Sequence, residues 1–212
     1  MSSYQVKPTP GNTEWFRHDR FGMFIHWGLY SIPAKTEWLR SVFEIPKEDY
    51  DPYINEFTAE NYNPREWAKL AKKAGMKYAV LTAKHHDGFC LFDSQYTDFK
   101  STNAPCKRDL VAEFLEAFRA EGIKVGLYFS IIDWRHPDYP HYGDQHHPMR
   151  NHEEAGNETR DFNRYLEYMH GQVKELCTNY GKLDIMWFDF SYGEMRGEAW
   201  RATELVNMVR SC

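Results

Sequence analysis

Polar side chains that could bind or attack a small polar molecule follow four apolar runs of the sequence. These runs end at His26, at the pair His85 and His86, at Tyr128 and at Asp189. Near-continuous apolar runs are typical of parallel strands that are buried on both faces of a sheet. Because ligands bind at the carboxyl ends of such strands, we expect these side chains to lie together in one site.

Asp189 closes a hydrophobic run, directly after Trp187 and Phe188. A solvated surface charge is a poor explanation for a carboxylate in this position. The carboxylate could accept hydrogen bonds from a helix amino terminus, or it could act on a substrate. We favour the second role, because enzymes that cleave glycosidic bonds through a covalent intermediate need an ionised carboxylate beside the anomeric carbon.

The histidines at the strand ends permit more than one role. His26 could be a core histidine bonded to a backbone carbonyl, but its place at a strand end favours a functional role. Adjacent strand residues point to opposite faces, so at least one of His85 and His86 should face the site, while the other could brace the following loop. Zinc bound by His26, one of this pair and Asp189 is a competing possibility, but the sequence has neither HxH nor HExxH spacing, and we expect no metal.

Two long loops carry further candidates. In the first, Glu37 precedes Trp38, and the two are either an exposed acid beside a packed ring or a hydrogen-bonding acid beside a stacking platform. The second loop covers residues 133–156 and contains five histidines whose spacing indicates no shared site. We expect these histidines to be solvated: His136, His141, His146, His147 and His152.

Strand and helix patterns alternate along the chain. A cap-then-proline start at Asn63 and Pro64, apolar spacing of three and four residues, and glycines after the helix ends indicate the helices. We predict strands over residues 21–27, 77–84, 123–130 and 183–190, and helices over 64–74, 108–120, 158–179 and 197–210, with an irregular segment over 29–62. This order implies a parallel sheet with helices outside, and the long loops after the strands, without a GxGxxG motif, favour a (β/α)8 barrel over a doubly wound sheet.

Composition narrows the class of protein. The 212 residues suffice for one domain with a sizeable core, and a net charge of −5 gives no reason to expect nucleic acid or an anionic membrane as a partner. No apolar stretch is long enough to span a bilayer. Four cysteines without paired spacing and no visible secretory signal predict a cytoplasmic protein with reduced thiols. The aromatic content of 17% favours a carbohydrate ligand, because aromatic faces stack on sugar rings.

Several motifs occur in the same order along this chain as in a known family. They are residues 15–16 and 21–28, which contain Phe-Gly-Met-Phe-Ile-His-Trp-Gly, and residues 36–38, 81–89, 126–130 and 187–189. In these stretches the chain resembles the retaining α-L-fucosidases of glycoside hydrolase family 29. The resemblance implies hydrolysis of terminal α-L-fucosides, in a fucosylated glycan or an aryl fucoside, through a covalent glycosyl-aspartate intermediate. It implies no cofactor and no metal.

The resemblance also assigns roles to the candidate residues. Asp189 is similar in position to the family's nucleophile. The residues that resemble its sugar ligands are His26, Glu37, Trp38, His85, His86, Tyr128 and Trp187. A cluster of this kind suits a polyol, because each sugar hydroxyl left without a hydrogen bond costs roughly 1 to 3 kcal/mol.

The sequence departs from the family in its length and in lacking the family's general acid/base residue. The family's barrel has eight strands and usually a following β-sandwich, whereas we count four to five βα units and therefore predict one partial TIM-type barrel over residues 1–212 with no β-sandwich. The family's acid/base Glu and its pocket Arg lie later and have no counterpart here. Glu194 and Glu198 are possible substitutes, and loss of general acid catalysis would reduce the rate by roughly 10² to 10⁴-fold.

A partial barrel would leave two strand edges and an apolar inner face uncovered. Such surfaces pair with other chains, so we predict a homo-oligomer, most simply a two-fold dimer, whose second copy could supply a carboxylate in trans. Two alternatives stay open beside the enzyme. One is a fucose-binding protein that has lost turnover, and the other is a barrel fragment that needs a separate subunit to supply the acid/base.

Overall fold

Four parallel strands form the sheet of the computed structural model, which describes residues 13–141, 144–152 and 158–212. The strands are β1 (Gly22–Ile25), β2 (Tyr78–Lys84), β3 (Lys124–Ser130) and β4 (Ile185–Asp189), in the order β1-β2-β3-β4. Each strand pairs in parallel with the next along the chain. The predicted α/β class and the parallel sheet are therefore confirmed, and the arrangement is consistent with part of a barrel.

Side-chain caps mark the start of each long helix that connects two strands. These helices are α4 (Pro64–Lys73), α5 (Leu110–Ala120) and α6 (Phe162–Asn179), while α1 (Glu14–Asp19) precedes β1, α7 (Ala202–Ser211) follows β4, and α2 and α3 are described below. The Asn63 side chain accepts a hydrogen bond from the Glu66 amide at 3.3 Å, as the cap-then-proline pattern predicts. Asp161 caps α6 in the same way, so this helix begins four residues later than the sequence suggested.

Two segments differ from the prediction. The helix expected over residues 197–210 is divided into a 3₁₀ turn (Gly197–Trp200) and α7, because Arg201 adopts a left-handed backbone with φ 48°. The segment over 29–62 is not a plain loop. It contains the 3₁₀ turns Leu29–Ser31 and Asp51–Glu56 and the single-turn helices α2 (Leu39–Val42) and α3 (Lys47–Tyr50).

The core lies between the sheet and the helices outside it. Phe114, Leu115 and Phe118 on α5 are almost completely buried, as the apolar stripe of that helix predicted. The inner face of the sheet is more open, since the side chains of Phe24 and Trp187 are 43% and 45% exposed. Within the described ranges no helix is both long enough and apolar enough to cross a membrane.

Candidate active site

The carboxylate of Asp189 is held by hydrogen bonds to both of its oxygens. The Tyr128 hydroxyl donates to Oδ2 at 2.7 Å, and the backbone N–H of Phe190 donates to Oδ1 at 2.9 Å. Phe190 has a φ of 74°, which is uncommon for a bulky side chain. The half-buried Asp189 is therefore fixed in orientation at the carboxyl end of β4, and neither donor belongs to a helix amino terminus.

The three histidines at the strand ends lie together beside Tyr128, which donates to Asp189. The ring of His85 lies 4.0 Å from that of His86 and 4.9 Å from that of His26, and it stacks on Tyr128 at 5.9 Å. The strand pairing shifts register near Thr82, which breaks the simple alternation of faces. Both buried rings of the pair join the aromatic cluster at the strand ends.

A hydrogen-bond relay decides which nitrogen of His86 carries the proton. The Ser130 hydroxyl donates to the Ile132 carbonyl at 2.7 Å, so its oxygen accepts from Nδ1 of His86 at 2.6 Å. Nε2 is then an acceptor, and it is buried with no partner among the residues that the structure describes. Burial lowers the pKa of His86 well below its ordinary value, so the ring is a neutral acceptor suited to a hydroxyl group.

Aromatic rings surround the polar groups. Trp38 packs edge-on against His86 at 5.3 Å and also contacts Phe190 at 5.1 Å. On the inner face of the sheet, Phe24 and Trp187 meet edge to face at 5.5 Å. An apolar sugar face or methyl group could lie against these exposed rings.

The loop after β2 is attached to the loop after β3 by a buried ion pair. Lys84 Nζ lies 3.3 Å from Asp133 Oδ2, and both side chains are almost completely buried. Asp133 also accepts hydrogen bonds from the amides of Arg135 and His136, each at 3.0 Å. A charge pair this deeply buried is stable only when such additional bonds satisfy it, and it fixes the two loops that carry His86 and Trp134.

The predicted acids do not all join the cluster. Glu37 is exposed, and its charge together with that of Asp189 opposes the lowering of the pKa of His26 that partial burial causes. Glu194 is exposed and lines a different cavity with Tyr192. Glu198 accepts a hydrogen bond from the Thr203 amide at 3.2 Å in the first turn of α7, which is a capping role.

The expectation that the loop histidines are solvated is wrong. His147 is completely buried, and the other four are half-buried. His146 packs edge-on against Trp38 at 5.1 Å, and His136 packs against Tyr168 at 4.4 Å. In the described part of the loop, packing against Trp38 and Tyr168 removes these two rings partly from solvent, which spacing along the chain does not indicate.

Sequence reasoning missed several residues of the cluster. Phe24 and Ser130 lie two positions from His26 and Tyr128, so the strand period of two could have placed them on the same face. The other missed residues are Tyr30, Trp134 and Phe190, for which the sequence carries no comparable signal. In the part of the chain that the structure describes, no group of three His, Cys, Asp or Glu side chains could hold a metal, which gives the zinc alternative no support.

Comparison with known proteins gives consistent matches. A family model described as "Alpha-L-fucosidase" matches residues 2–212. The tissue alpha-L-fucosidase of Rattus norvegicus is 39% identical over an alignment 154 residues long, which covers 65% of this chain and 33% of the relative. Alpha-L-fucosidase isoenzyme 1 from Paenibacillus thiaminolyticus matches with a TM-score of 0.92 and 67% identity, over 93% of this chain and 47% of that one.

A further solved structure is informative about chemistry in a relative. It is a Bacteroides thetaiotaomicron alpha-L-fucosidase solved as a trapped covalent intermediate with 2-fluoro-fucosyl fluoride, and it matches with a TM-score of 0.78 and 35% identity over 92% of this chain and 45% of that one. The chain thus spans about a third of the curated relative's length and about half of these two structures.

Proposed function

The chain belongs to the alpha-L-fucosidase family, and on this premise we propose that it carries the nucleophile and the fucose-binding face of a retaining exo-α-L-fucosidase. The substrates are terminal α-L-fucosides, in fucosylated glycans or aryl fucosides. The observation that carries the proposal is the Asp189 carboxylate, fixed by two donors beside a cluster of three imidazoles.

In the first step a carboxylate oxygen of Asp189 attacks the anomeric carbon of fucose. The new ester bond forms as the bond to the leaving oxygen breaks, and water then hydrolyses the glycosyl-aspartate with net retention. Tyr128 and the Phe190 amide orient the carboxylate for this attack. The covalent intermediate trapped in the Bacteroides relative supports the same course here.

The surrounding groups bind the sugar. His86 offers an acceptor at Nε2, and we assign hydroxyl contacts also to His26 and His85. The rings of Trp38 and Trp187 provide apolar surface, and Glu37 lies near enough to His26 to influence its charge. A fucose hydroxyl that replaces the missing partner of a buried nitrogen removes a cost of about 1 to 3 kcal/mol.

The general acid comes from outside this cluster in our proposal. Glu198 is engaged in a helix cap, and Glu194 lines a different cavity. A protonated carboxylic acid from another segment or from a second copy in trans therefore protonates the leaving oxygen and becomes a carboxylate. Without it, aryl fucosides retain the most activity, because their leaving groups need less protonation. A binding protein without turnover is not favoured, because the proposed nucleophile is fully held in place.

A variant of the nucleophile tests the proposal. Asp189→Gly should lose hydrolysis of an aryl α-L-fucoside by several orders of magnitude, and azide should restore release of the aryl group by forming β-fucosyl azide in the vacated space. Glu198→Gln is the matched control, with unchanged turnover. Wild-type turnover in Asp189→Gly would exclude this nucleophile, and fucose binding with no wild-type turnover would favour the binding protein.

A further inference from the structure

The turn that carries His85 and His86 contains a buried carboxylate that the proposed mechanism does not use. Asp87 is 3% exposed and directly follows the two histidines. The Gly88 amide donates to the His85 carbonyl at 3.1 Å, so Asp87 lies inside a turn that begins at His85. A displacement of the Asp87 side chain would therefore be passed to the backbone from which the His85 ring projects.

Two donors hold the Asp87 carboxylate, and one of them comes from a distant segment. The Phe89 amide donates to Oδ1 at 3.1 Å within the turn itself. The Tyr50 hydroxyl donates to Oδ2 at 2.6 Å from the end of α3, 37 residues earlier in the chain. Tyr50 is almost completely buried, so water has little access to this bond. Burial raises the pKa of Asp87 to about 6, and the hydrogen bond from Tyr50 is the largest of the contributions that oppose this rise.

The orientation of His85 depends on this turn more than that of His86 does. The His86 ring has its own hydrogen bond, to Ser130. The Nδ1 atom of His85 is buried and has no hydrogen-bond partner in the part of the chain that the structure describes. The His85 ring contacts the ring of Tyr30 at 5.0 Å and stacks on that of Tyr128 at 5.9 Å. Ring packing and the backbone of the turn therefore determine how His85 is oriented.

Tyr50 also contacts the segment that carries Trp38. The guanidinium of Arg40, two residues after Trp38, lies over the Tyr50 ring at 5.5 Å, and both side chains are buried. Burial lowers the pKa of Arg40, and the charge of Asp87 is the largest of the contributions that oppose this decrease. Tyr50 therefore contacts one residue from the segment that carries Trp38 and one from the turn that carries His85.

We propose that Tyr50 is a positioning residue for fucose binding, because its hydroxyl holds Asp87 and thereby fixes the turn that orients the His85 ring. This role rests on the proposed function, in which His85 is a fucose ligand. The nucleophile Asp189 is held by other groups, and its carboxylate does not depend on this turn for its two hydrogen bonds. Loss of the Tyr50 hydroxyl should therefore weaken the binding of fucose and of the transition state alike, which raises KM and leaves kcat nearly unchanged.

Tyr50→Phe tests this role, because it removes the hydroxyl and keeps the buried ring. The dissociation constant of fucose, measured by calorimetry, and the KM of an aryl α-L-fucoside should each rise roughly tenfold, since a hydrogen bond to a charged group is lost. The kcat should change by less than about twofold. Tyr180→Phe is the matched control, because it also removes a hydroxyl that donates to an aspartate at 2.6 Å, but that aspartate is Asp109 at the start of α5. Its KM and its affinity for fucose should equal those of the wild type.

A second variant covers the case in which Tyr50→Phe does not fold. Asp87→Asn keeps an acceptor for the Tyr50 hydroxyl but replaces a charge-assisted hydrogen bond with a weaker neutral one. The dissociation constant of fucose should then rise by a smaller factor than in Tyr50→Phe. An unchanged affinity in Asp87→Asn would overturn the positioning role in that case.

A spectrum recorded without sugar separates the positioning role from the proposed function. In long-range ¹H–¹⁵N spectra, Tyr50→Phe should shift the ring signals of His85, and Tyr180→Phe should not. A wild type that binds no fucose would overturn the proposed function, and the His85 signals alone would then decide whether Tyr50 positions this ring. Where the wild type binds fucose, an unchanged affinity in Tyr50→Phe, an equal loss in Tyr180→Phe or unchanged His85 signals would each overturn the positioning role.

Discussion

At the scale of single residues, the site depends on how Asp189 is held. Burial and the neighbouring Asp189 charge raise the pKa of Tyr128 above its ordinary value, so its hydroxyl stays protonated and donates. The strand-end histidines, Tyr128 and Asp189 could be predicted from sequence because each follows an apolar run. The left-handed backbone of Phe190 and the relay through Ser130 could not, because they depend on backbone geometry and on contacts across strands.

We therefore predict that Tyr128→Phe impairs catalysis more than folding. The variant loses the 2.7 Å hydrogen bond to the carboxylate but keeps the ring. Hydrolysis of an aryl α-L-fucoside should fall roughly tenfold to hundredfold, because a hydrogen bond to a charged group is worth about 1.5 to 3 kcal/mol. Tyr53→Phe, whose ring packs edge-on against Tyr50, is the control. An unchanged rate in Tyr128→Phe would contradict the orienting role.

At the scale of elements, the strands and long helices can be predicted from the apolar periodicity of the sequence. The structure of the loops cannot be predicted in this way. The single-turn helices of the 29–62 segment are too short to be stable alone, so tertiary contacts form them and the sequence pattern does not reveal them. The loop after β2 is likewise determined by packing. Gly88 has a φ of 83°, and a Cβ there would lie 2.5 Å from Asp133 Oδ1.

Two glycine variants separate backbone strain from this packing. Gly75 has a φ of 86° with no atom within 4 Å of an added Cβ, so Gly75→Ala should cost only the left-handed conformation, about 1 to 2 kcal/mol. Gly88→Ala should cost at least about 3 kcal/mol, because it also displaces the buried partner of Lys84. Urea denaturation of both variants measures the difference, and equal losses would refute the packing argument.

At the scale of the whole molecule, the sheet is open on two sides. In the described ranges β1 pairs only with β2 and β4 only with β3, and Phe24 and Trp187 remain exposed on the inner face. Unpaired edges and exposed apolar rings favour association, and we keep the proposal that a second copy covers them.

Sedimentation velocity tests this self-association. We expect a dimer of the wild-type chain at micromolar concentration, and a shift toward monomer in the double variant Phe24→Ser, Trp187→Ser. Leu70→Ser removes an apolar side chain that is more exposed, at 62%, from the surface of α4 and should leave the dimer intact. A wild-type chain that sediments as a monomer would remove the proposal.

The buried histidines make stability depend on pH. Burial lowers the pKa of His85 and His86 well below 6.5 and that of His147 to about 2. Below pH 6.5 the unfolded chain binds protons that the folded chain does not. The free energy of unfolding therefore decreases as the pH is lowered, by about 1.4 kcal/mol per pH unit for each ring that is protonated only in the unfolded chain. Burial raises the pKa of Asp87 to about 6, which opposes this trend between pH 6 and 4.

Urea denaturation at pH 7, 6 and 5 should therefore show decreasing stability. The decline should correspond to uptake of more than one proton on unfolding between pH 6 and 5. Asp87→Asn removes the opposing contribution, so its stability should decline more steeply over the same interval. A stability that does not change from pH 7 to 5 in either the wild type or Asp87→Asn would show that these rings titrate normally in the folded chain.

The strand order affects how the sheet can fold while the chain is being synthesised. Because β1, β2, β3 and β4 are neighbours in the same order as they leave the ribosome, each new strand can join the edge of the sheet already formed. After β1, each strand has its partner already made when it is synthesised. Asp189, the proposed nucleophile at the end of β4, is then the last of these strand-end groups to be made, after the histidines and Tyr128.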